Sequence, residues 1–298
     1  MVLFVVHPSS VERLPFTLTE SSVLAVIPAR HHSTRLPGKI LADIAGRPMI
    51  EHVYRRASAA RLVHAVIVAT DDERIASVVG AFGGAAIMTR ADHVSGTDRI
   101  AEVVAAHPCR AVVNLQGDEP LIEPETIDAA IKPLLDDSTI EMSTLSRPFI
   151  DIDEFRNPNV VKVVTDARGH ALYFSRAPIP FPRGAALPAP ARAHVGLYVY
   201  RRETLLKLAA LPAAPLEIVE SLEQLRALAH GVRIQVVATS HATAGVDTLE
   251  DLERVRTLMQ TAPHNHLRDS YGGPPKPPAK AETVCASPSN CAAQGRSV

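Results

Sequence analysis

Three short apolar runs constrain this chain most: Val23–Ile27, Ala65–Ala69 and Ala111–Leu115, the last broken only by Asn114. A strand that is apolar on both faces needs cover on both. That is the condition inside a parallel sheet with helices above and below. Amphipathic stretches fall between the runs. Pro48 is placed to open a helix with Ile50, Val53, Tyr54 and Ala57 on one side. Asp71 is placed to cap a second helix through Ile75, Val78 and Val79. Ala85–Thr89 reads as a short strand, and Ser95 with Asp98 has capping-box spacing ahead of Ile100, Val103 and Val104. This alternation predicts an α/β layered sheet with right-handed crossovers.

The 298 residues are 46% hydrophobic and 21% charged, enough apolar material for a full core. Residues 1–22 read as an irregular N-terminal extension and 23–261 as the main domain. Within it the pattern changes at about 140. Met142–Ser146, Val160–Val164, Ala171–Phe174 and Val195–Tyr200 look like strands with few helices between them, so about 140–200 reads as a smaller mixed subdomain or sheet extension. A helix near 217–230, a strand near 232–238 and a helix from Leu249 to Met259 return to the main layer. Residues 262–298, with Tyr271-Gly-Gly-Pro-Pro-Lys-Pro-Pro278, are expected to form a flexible tail.

A formal net charge of −1 provides no basic footprint for nucleic acid or an anionic membrane. No apolar run approaches the roughly 18–20 residues of a membrane span. The start, Met1–Val6, lacks a basic flank and is soon followed by Glu12 and Arg13, unlike a signal peptide. Three cysteines, Cys109, Cys285 and Cys291, make no disulfide framework, which fits a reducing, cytoplasmic compartment.

Ligands of open α/β sheets bind beyond the carboxyl ends of the strands. After the first run, Pro28–Lys39 gathers Arg30, Arg35 and Lys39 in one loop. That charge density suits a triphosphate, although a basic loop taken alone is more often solvated surface. The loop is no Walker A motif and no G-x-G-x-x-G is present, so neither a P-loop NTPase nor a dinucleotide enzyme is supported.

After the third run comes Asn114-Leu-Gln116-Gly-Asp118-Glu119-Pro120. A carboxylate there is placed to hold Mg²⁺, though a lone Gly-Asp usually only ends a strand. Asp247, in Gly245-Val-Asp247-Thr-Leu-Glu-Asp251, is either a cap for the last helix or a second metal carboxylate folded beside Asp118. On a predicted helix over Leu216–Ala229, Ile218, Leu222, Leu225 and Ala229 form an apolar stripe. Glu217, Glu220 and Gln224 share another face, which is either solvated or presented to a polyhydroxylated substrate. His194 and Tyr198, four apart in a predicted strand, point to one side and suit a paired substrate contact, where a lone histidine would be structural. His264 and His266 with the tail cysteines fit no zinc spacing.

Val26-Ile-Pro-Ala-Arg30 with Ser33-Thr-Arg-Leu-Pro-Gly-Lys39 resembles the nucleotide loop of CMP-sugar-acid synthetases. Further runs resemble the 3-deoxy-manno-octulosonate (Kdo) cytidylyltransferases. They are Thr89-Arg-Ala-Asp-His93 with Ser95-Gly-Thr97, Asn114–Pro120, Asn157–Val164, Tyr173–Ile179, His194-Val-Gly-Leu-Tyr198, Leu222–Arg226 and Gly245–Thr248. The likeness is collinear from about Val23 to Met259. It implies a three-layer α/β sandwich of the nucleotide-diphosphosugar-transferase type, with a mixed, mostly parallel sheet. It also implies CMP transfer from CTP to the sugar acid with Mg²⁺, and a homodimer assembled through the smaller subdomain.

Carried onto this chain, the resemblance implies that Arg30, Ser33, Arg35 and Lys39 hold the CTP phosphates. Thr89, Arg90, Asp92, Ser95 and Gly96 would surround the cytidine, with Gln116 nearby. Asp118 and Asp247 would carry the metal and act with Lys39 in catalysis. Gln116, Arg183, His194, Tyr198, Glu220 and Gln224 would contact the sugar acid. The extension and tail have no counterpart in the family, and Arg183–Arg192 is shorter than the family pattern. Three alternatives are a different sugar acid (sialic acid or an 8-amino Kdo analogue), a uridylyl- or guanylyltransferase for a sugar phosphate, and a catalytically silent nucleotide-binding protein.

Overall fold

In the computed structural model, the three apolar runs become adjacent strands at the centre of one sheet. Residues 5–6, 14–31, 36–184, 187–188, 190–240 and 245–261 are described. In chain order the first elements are β1 (Val5–Val6), β2 (Val23–Ala29), a 3₁₀ turn (Lys39–Leu41), β3 (Asp43–Ile44), β4 (Arg47–Pro48) and α1 (Met49–Ala59). There follow β5 (Ala65–Thr70), α2 (Glu73–Ala81), β6 (Ala86–Met88), α3 (Gly96–Ala105), β7 (Ala111–Asn114) and α4 (Pro124–Asp136). The second half contains β8 (Met142–Arg147), α5 (Ile152–Arg156), β9 (Lys162–Thr165), β10 (Ala171–Ser175) and β11 (Arg192–Arg201). It closes with α6 (Arg202–Ala209), α7 (Pro215–Glu220), α8 (Gln224–Ala229), β12 (Ile234–Ala238) and α9 (Leu249–Thr261).

The main sheet runs β1-β6-β5-β2-β7-β11-β8-β12, with β9 and β10 branching from β11. Pairings from β1 to β7 are parallel, as is β8 with β12; β11 is antiparallel to both of its neighbours, β7 and β8. The alternation of β2 shows why the strand must be apolar throughout. Val23, Ala25 and Ile27 enter one core with Ile50 and Val53 of α1, Ile75 of α2 and Ile127 of α4. Leu24 and Val26 enter the other with Ile100 and Val103 of α3, Leu205 of α6 and Leu225 of α8. Each fully buried aliphatic side chain stabilises the fold by about 1.5–3 kcal/mol. The layers are therefore helix, sheet, helix, as the alternation predicts.

Several local expectations change. The second helix is capped by Asp72, whose side chain accepts from the Arg74 amide, not by Asp71. Either of two adjacent aspartates satisfies the cap pattern, and the choice of Asp72 leaves Asp71 for Arg99 (below). The single helix expected over 216–229 is two helices, because Ser221 takes a left-handed conformation at φ 51°. The chain leaves α7 there, and the Leu222 amide turns back to the Glu217 carbonyl. Ile218 is consequently exposed, while Leu222 and Leu225 are buried. In the extension read as irregular, Val5–Val6 pair in parallel with Ala86–Ile87, and Leu14, Phe16 and Leu18 pack on the core. Two strands of the 140–200 stretch, β8 and β11, lie in the main sheet itself. The expected tail, with His264, His266, Cys285 and Cys291, lies outside the described residues.

Candidate active site

The loop after β2 ends in Gly38, whose φ of 71° is a conformation that glycine adopts without Cβ strain. It begins the 3₁₀ turn that aims Lys39 inward. From there the Lys39 ammonium donates to Asp118 Oδ2 at 2.6 Å, to Asp247 Oδ1 at 3.0 Å and to the Val246 carbonyl at 3.0 Å. These partners stand 79, 208 and 207 positions away in sequence. Burial works against the lysine's charge, yet Asp118 and then Asp247 hold its pKa above the ordinary value.

The two carboxylates converge because the backbone brings them together. The Val246 amide bonds the Asp118 carbonyl at 2.9 Å. Asp247 is also spared capping duty: Thr248 and Asp251 form the reciprocal pair at the start of α9, Thr248 N to Asp251 Oδ2 at 3.0 Å and Asp251 N to Thr248 Oγ1 at 3.2 Å. Gly117 permits the turn to lie close against its neighbours, since a Cβ there would stand 3.0 Å from Ile40 Cδ1. Glu119 lies beside the pair with Oε2 buried and unpartnered. Desolvation first, then the charges of Asp118 and Asp247, push its pKa up to about 8.

Two carboxylates focused on one cation, beside a third desolvated acid, form a hard-oxygen donor set of the kind magnesium takes when phosphate oxygens and water complete its shell. Among the described residues no group of three or more His, Cys, Asp or Glu side chains is arranged to hold a metal by itself. Two carboxylates leave the rest of such an ion's oxygen shell to phosphate and water.

A second cluster crowns β2, β5 and β6. Arg99, fully buried on α3, donates to the Thr89 hydroxyl and pairs with Asp71 at 3.2 Å, tying the ends of β5 and β6 together. Arg30 donates to the His93 carbonyl at 2.8 Å, and His93 bonds Glu102. Arg30 thus reaches the 89–95 loop as well as flanking the cationic loop from which it comes. Arg90 is exposed and pairs with Asp92 at 2.9 Å. Ser95 and Asp98 form the expected capping box at the start of α3, where Gly96 is the first helical residue. Ser33 and Arg35 lie outside the described residues.

The antiparallel insertion of β11 builds the other side of the cleft. Tyr198 pairs with Asn114 at the carboxyl end of β7, so the half of β11 holding His194 runs past that end, over the Gln116–Asp118 turn. His194 and Tyr198 do share a face, with ring centroids 5.4 Å apart, and Phe174 packs edge-on to His194 at 5.1 Å. Thr144 Oγ1 meets His194 Nε2 at 2.9 Å. Desolvation among these groups holds the His194 pKa down to about 3 and pushes that of Tyr198 up. Both are neutral at physiological pH.

The remaining sugar-acid candidates divide. Gln116 donates to Asn114 Oδ1 at 2.9 Å, and Gln224 is buried with an unpartnered Nε2. Glu220 accepts from Ser175 Oγ at 2.6 Å and the Arg176 amide at 2.9 Å. Desolvation alone would raise its pKa, but these bonds and the Arg176 charge hold it below the ordinary carboxylate value. Glu217 is not on a shared solvent face with Glu220 and Gln224; it is buried in a bidentate pair with Arg226 at 2.6 and 2.9 Å. Arg183 stands exposed in the loop between β10 and β11 and makes no hydrogen bond or ion pair among the described residues.

Three site residues escape the sequence reading of roles. Thr97 donates to Glu223 Oε2 at 2.6 Å, Asn114 reaches Thr97 at 3.5 Å, and Glu223 Oε1 is buried without a partner. The available signal was Asn114 itself, a polar residue ending an otherwise apolar strand.

The cytidylyltransferase family profile matches residues 24–234. The 3-deoxy-manno-octulosonate cytidylyltransferase of Syntrophotalea carbinolica is 56% identical over 247 residues, covering 80% of this chain and 99% of that protein. The protein of the same name from Geobacter sulfurreducens is 53% identical over 244 residues, covering 78% and 98%. A solved CMP:2-keto-3-deoxy-manno-octonic acid synthetase complexed with CTP superposes with a TM-score of 0.77 at 48% identity, covering 80% of this chain and 99% of that one. A 4-diphosphocytidyl-2C-methyl-D-erythritol synthase from Anaerococcus prevotii, 12% identical with a TM-score of 0.55, shares the fold. The chain belongs to the cytidylyltransferase family, in its 3-deoxy-manno-octulosonate branch.

Proposed function

We propose that the chain transfers CMP from CTP to the anomeric hydroxyl of Kdo, giving CMP-Kdo and pyrophosphate. The reaction uses Mg²⁺, and its product serves lipopolysaccharide biosynthesis. One observation carries the reading: Lys39 bridges Asp118 and Asp247 at 2.6 and 3.0 Å, at the strand ends where the nucleotide loop begins.

The anomeric hydroxyl attacks the α-phosphorus in line and pyrophosphate leaves, so the protein's task is positioning and charge stabilisation. Asp118 and Asp247 would hold magnesium, which would supply positive charge to the phosphates and lower the pKa of the attacking hydroxyl. Lys39 and Arg30 neutralise the departing phosphates, as does Arg35 from the same loop. Thr89, braced by Arg99, frames the cytidine with Arg90, Asp92, Ser95 and Gly96. Gln116, His194, Tyr198, Glu220 and Gln224 line the acceptor side, joined by Arg183 from its exposed loop. His194 and Tyr198 act as neutral hydrogen-bonding groups there, and no covalent intermediate with the protein is required.

The reaction takes place in the cytoplasm; among the described residues no helix is long and apolar enough to cross a membrane. The enzyme works as a homodimer. Exposed Ile150, Leu172 and Phe181, all in the 140–200 stretch, support an interface there.

Pyrophosphate release across all four nucleoside triphosphates, with Kdo, its 8-amino analogue and sialic acid as acceptors, tests the reading. It is run with magnesium present and then chelated. Turnover is expected with CTP, Kdo and magnesium together. A preference for UTP or GTP, or for another acceptor, would establish one of the alternatives, and CTP binding without turnover would mark a silent binder.

A further inference from the structure

Strand β11 alternates strictly: Ala193, Val195, Leu197 and Val199 are buried, while His194, Gly196 and Tyr198 are half-buried. Val195, Leu197 and Val199 enter the core beneath α1 and α4, so the other three share the face that looks onto the acceptor side. A glycine within a strand weakens it and usually marks a bulge or a place where another group approaches closely. Pairing with β8 does slip between Val195 and Tyr198. Gly196 is nevertheless not among the residues with positive φ, so its backbone is open to other L-residues. Packing makes no demand either: a Cβ at 196 would meet nothing within 4 Å, whereas one at Gly84 would stand 2.6 Å from a Phe82 ring carbon. Neither conformation nor crowding calls for glycine here.

The space itself is what the position provides. The slip draws the strand in, setting His194 opposite Ser146 and Tyr198 opposite Thr144, two rungs apart on β8, with ring centroids 5.4 Å apart. We infer that Gly196 determines acceptor specificity: its missing side chain leaves a recess in the wall of the acceptor site, against which a carboxylated sugar lies beside His194 and Tyr198. The inference rests on the acceptor reading above and goes beyond it in assigning the size limit to one position.

The test compares wild type, Gly196→Ala and Gly196→Val by steady-state pyrophosphate release, varying CTP and Kdo separately, with thermal melts of each protein. In a hydrophobic recess each added carbon weakens a matched ligand by about tenfold or more. Gly196→Ala should therefore lower kcat/KM for Kdo about tenfold and Gly196→Val, with three added carbons, about a thousandfold, with KM for CTP within about twofold of wild type. Tm should hold or rise, because replacing an unstrained glycine restricts the unfolded chain. Acceptor kcat/KM within about twofold of wild type in the alanine variant would overturn the inference. So would a loss shared equally between the two substrates with a lowered Tm, which marks a structural glycine. If the valine variant does not fold, the alanine variant decides alone. Failure of the parent reading shows separately, as a wild type that ignores Kdo; the same series on the acceptor it does use then tests the recess.

Discussion

At the donor end of the cleft, one lysine is fastened by two carboxylates and a carbonyl drawn from distant parts of the chain. At the acceptor end, His194 and Tyr198 are held by ring contacts and a threonine hydroxyl, and desolvation drives both toward their neutral forms. On the function proposed above, the difference follows from what each end has to bind. A triphosphate brings several charges, and a site for it must hold opposite charge ready in a place water scarcely reaches. A sugar acid brings many hydroxyls, which neutral donors and acceptors can sort by position without a desolvation penalty on every group. Removing a carboxylate at the donor end leaves the largely buried Lys39 ammonium less balanced. At the acceptor end the same kind of change leaves an unmatched hydrogen bond or an altered shape.

The largest expected effect tests the donor side of that contrast. Asp118→Asn keeps the shape but removes one of the two carboxylates on Lys39, and should lower turnover by about a thousandfold or more. The fold should survive, since the change also removes a charge that presses on Glu119. Single-turnover pyrophosphate release with a thermal melt reads both, and unchanged turnover would take Asp118 out of the mechanism. Lys39→Met goes further, leaving Asp118, Asp247 and Glu119 with no cation between them. It should reduce kcat/KM for CTP about a hundredfold and lower Tm, with added Mg²⁺ restoring Tm but not activity. If magnesium leaves the melt of this variant unchanged, the carboxylates do not share an ion.

The smallest effect sharpens the acceptor side. His194 has a pKa held down to about 3 by desolvation, against about 6.5 in an unfolded chain. Its neutral form is favoured in the native state, so it adds stability fully above the ordinary value, and that contribution is lost as pH falls from there toward 3. His194→Gln should therefore flatten the decline of the urea midpoint between pH 7 and pH 4.5. A variant whose midpoint falls as steeply as that of wild type would show that His194 is not the desolvated group described.

Much of this contrast was legible before any coordinates. Apolar strands and the residues that follow their carboxyl ends locate Lys39 and Asp118, because strand periodicity and the strand-end rule are local properties. Asp247 was ambiguous between cap and metal site. Thr248 and Asp251 take the cap, which removes that one of the two readings through side-chain geometry no sequence pattern shows. Asp71 and Asp72 could not be separated for the same reason. The break at Ser221 carries no glycine to announce it, so a continuous 3.6-residue stripe over 216–229 is the simplest reading, and it puts Glu217 on a face that is either solvated or turned to a substrate, where the structure pairs it with Arg226. The antiparallel insertion of β11 between β7 and β8 is a property of the whole sheet. It is what sets Tyr198 against Asn114, and no local pattern encodes it.

The claim underlying both halves is that Asp118 and Asp247 share a divalent cation with the nucleotide. Crystals grown with CTP and Mn²⁺ in place of Mg²⁺, measured for anomalous scattering, test it directly. The account predicts a manganese peak about 2.0–2.4 Å from an oxygen of each carboxylate, with the Lys39 ammonium turned onto a phosphate. A peak bound by neither aspartate, or Lys39 still bridging both of them with CTP in place, would contradict it.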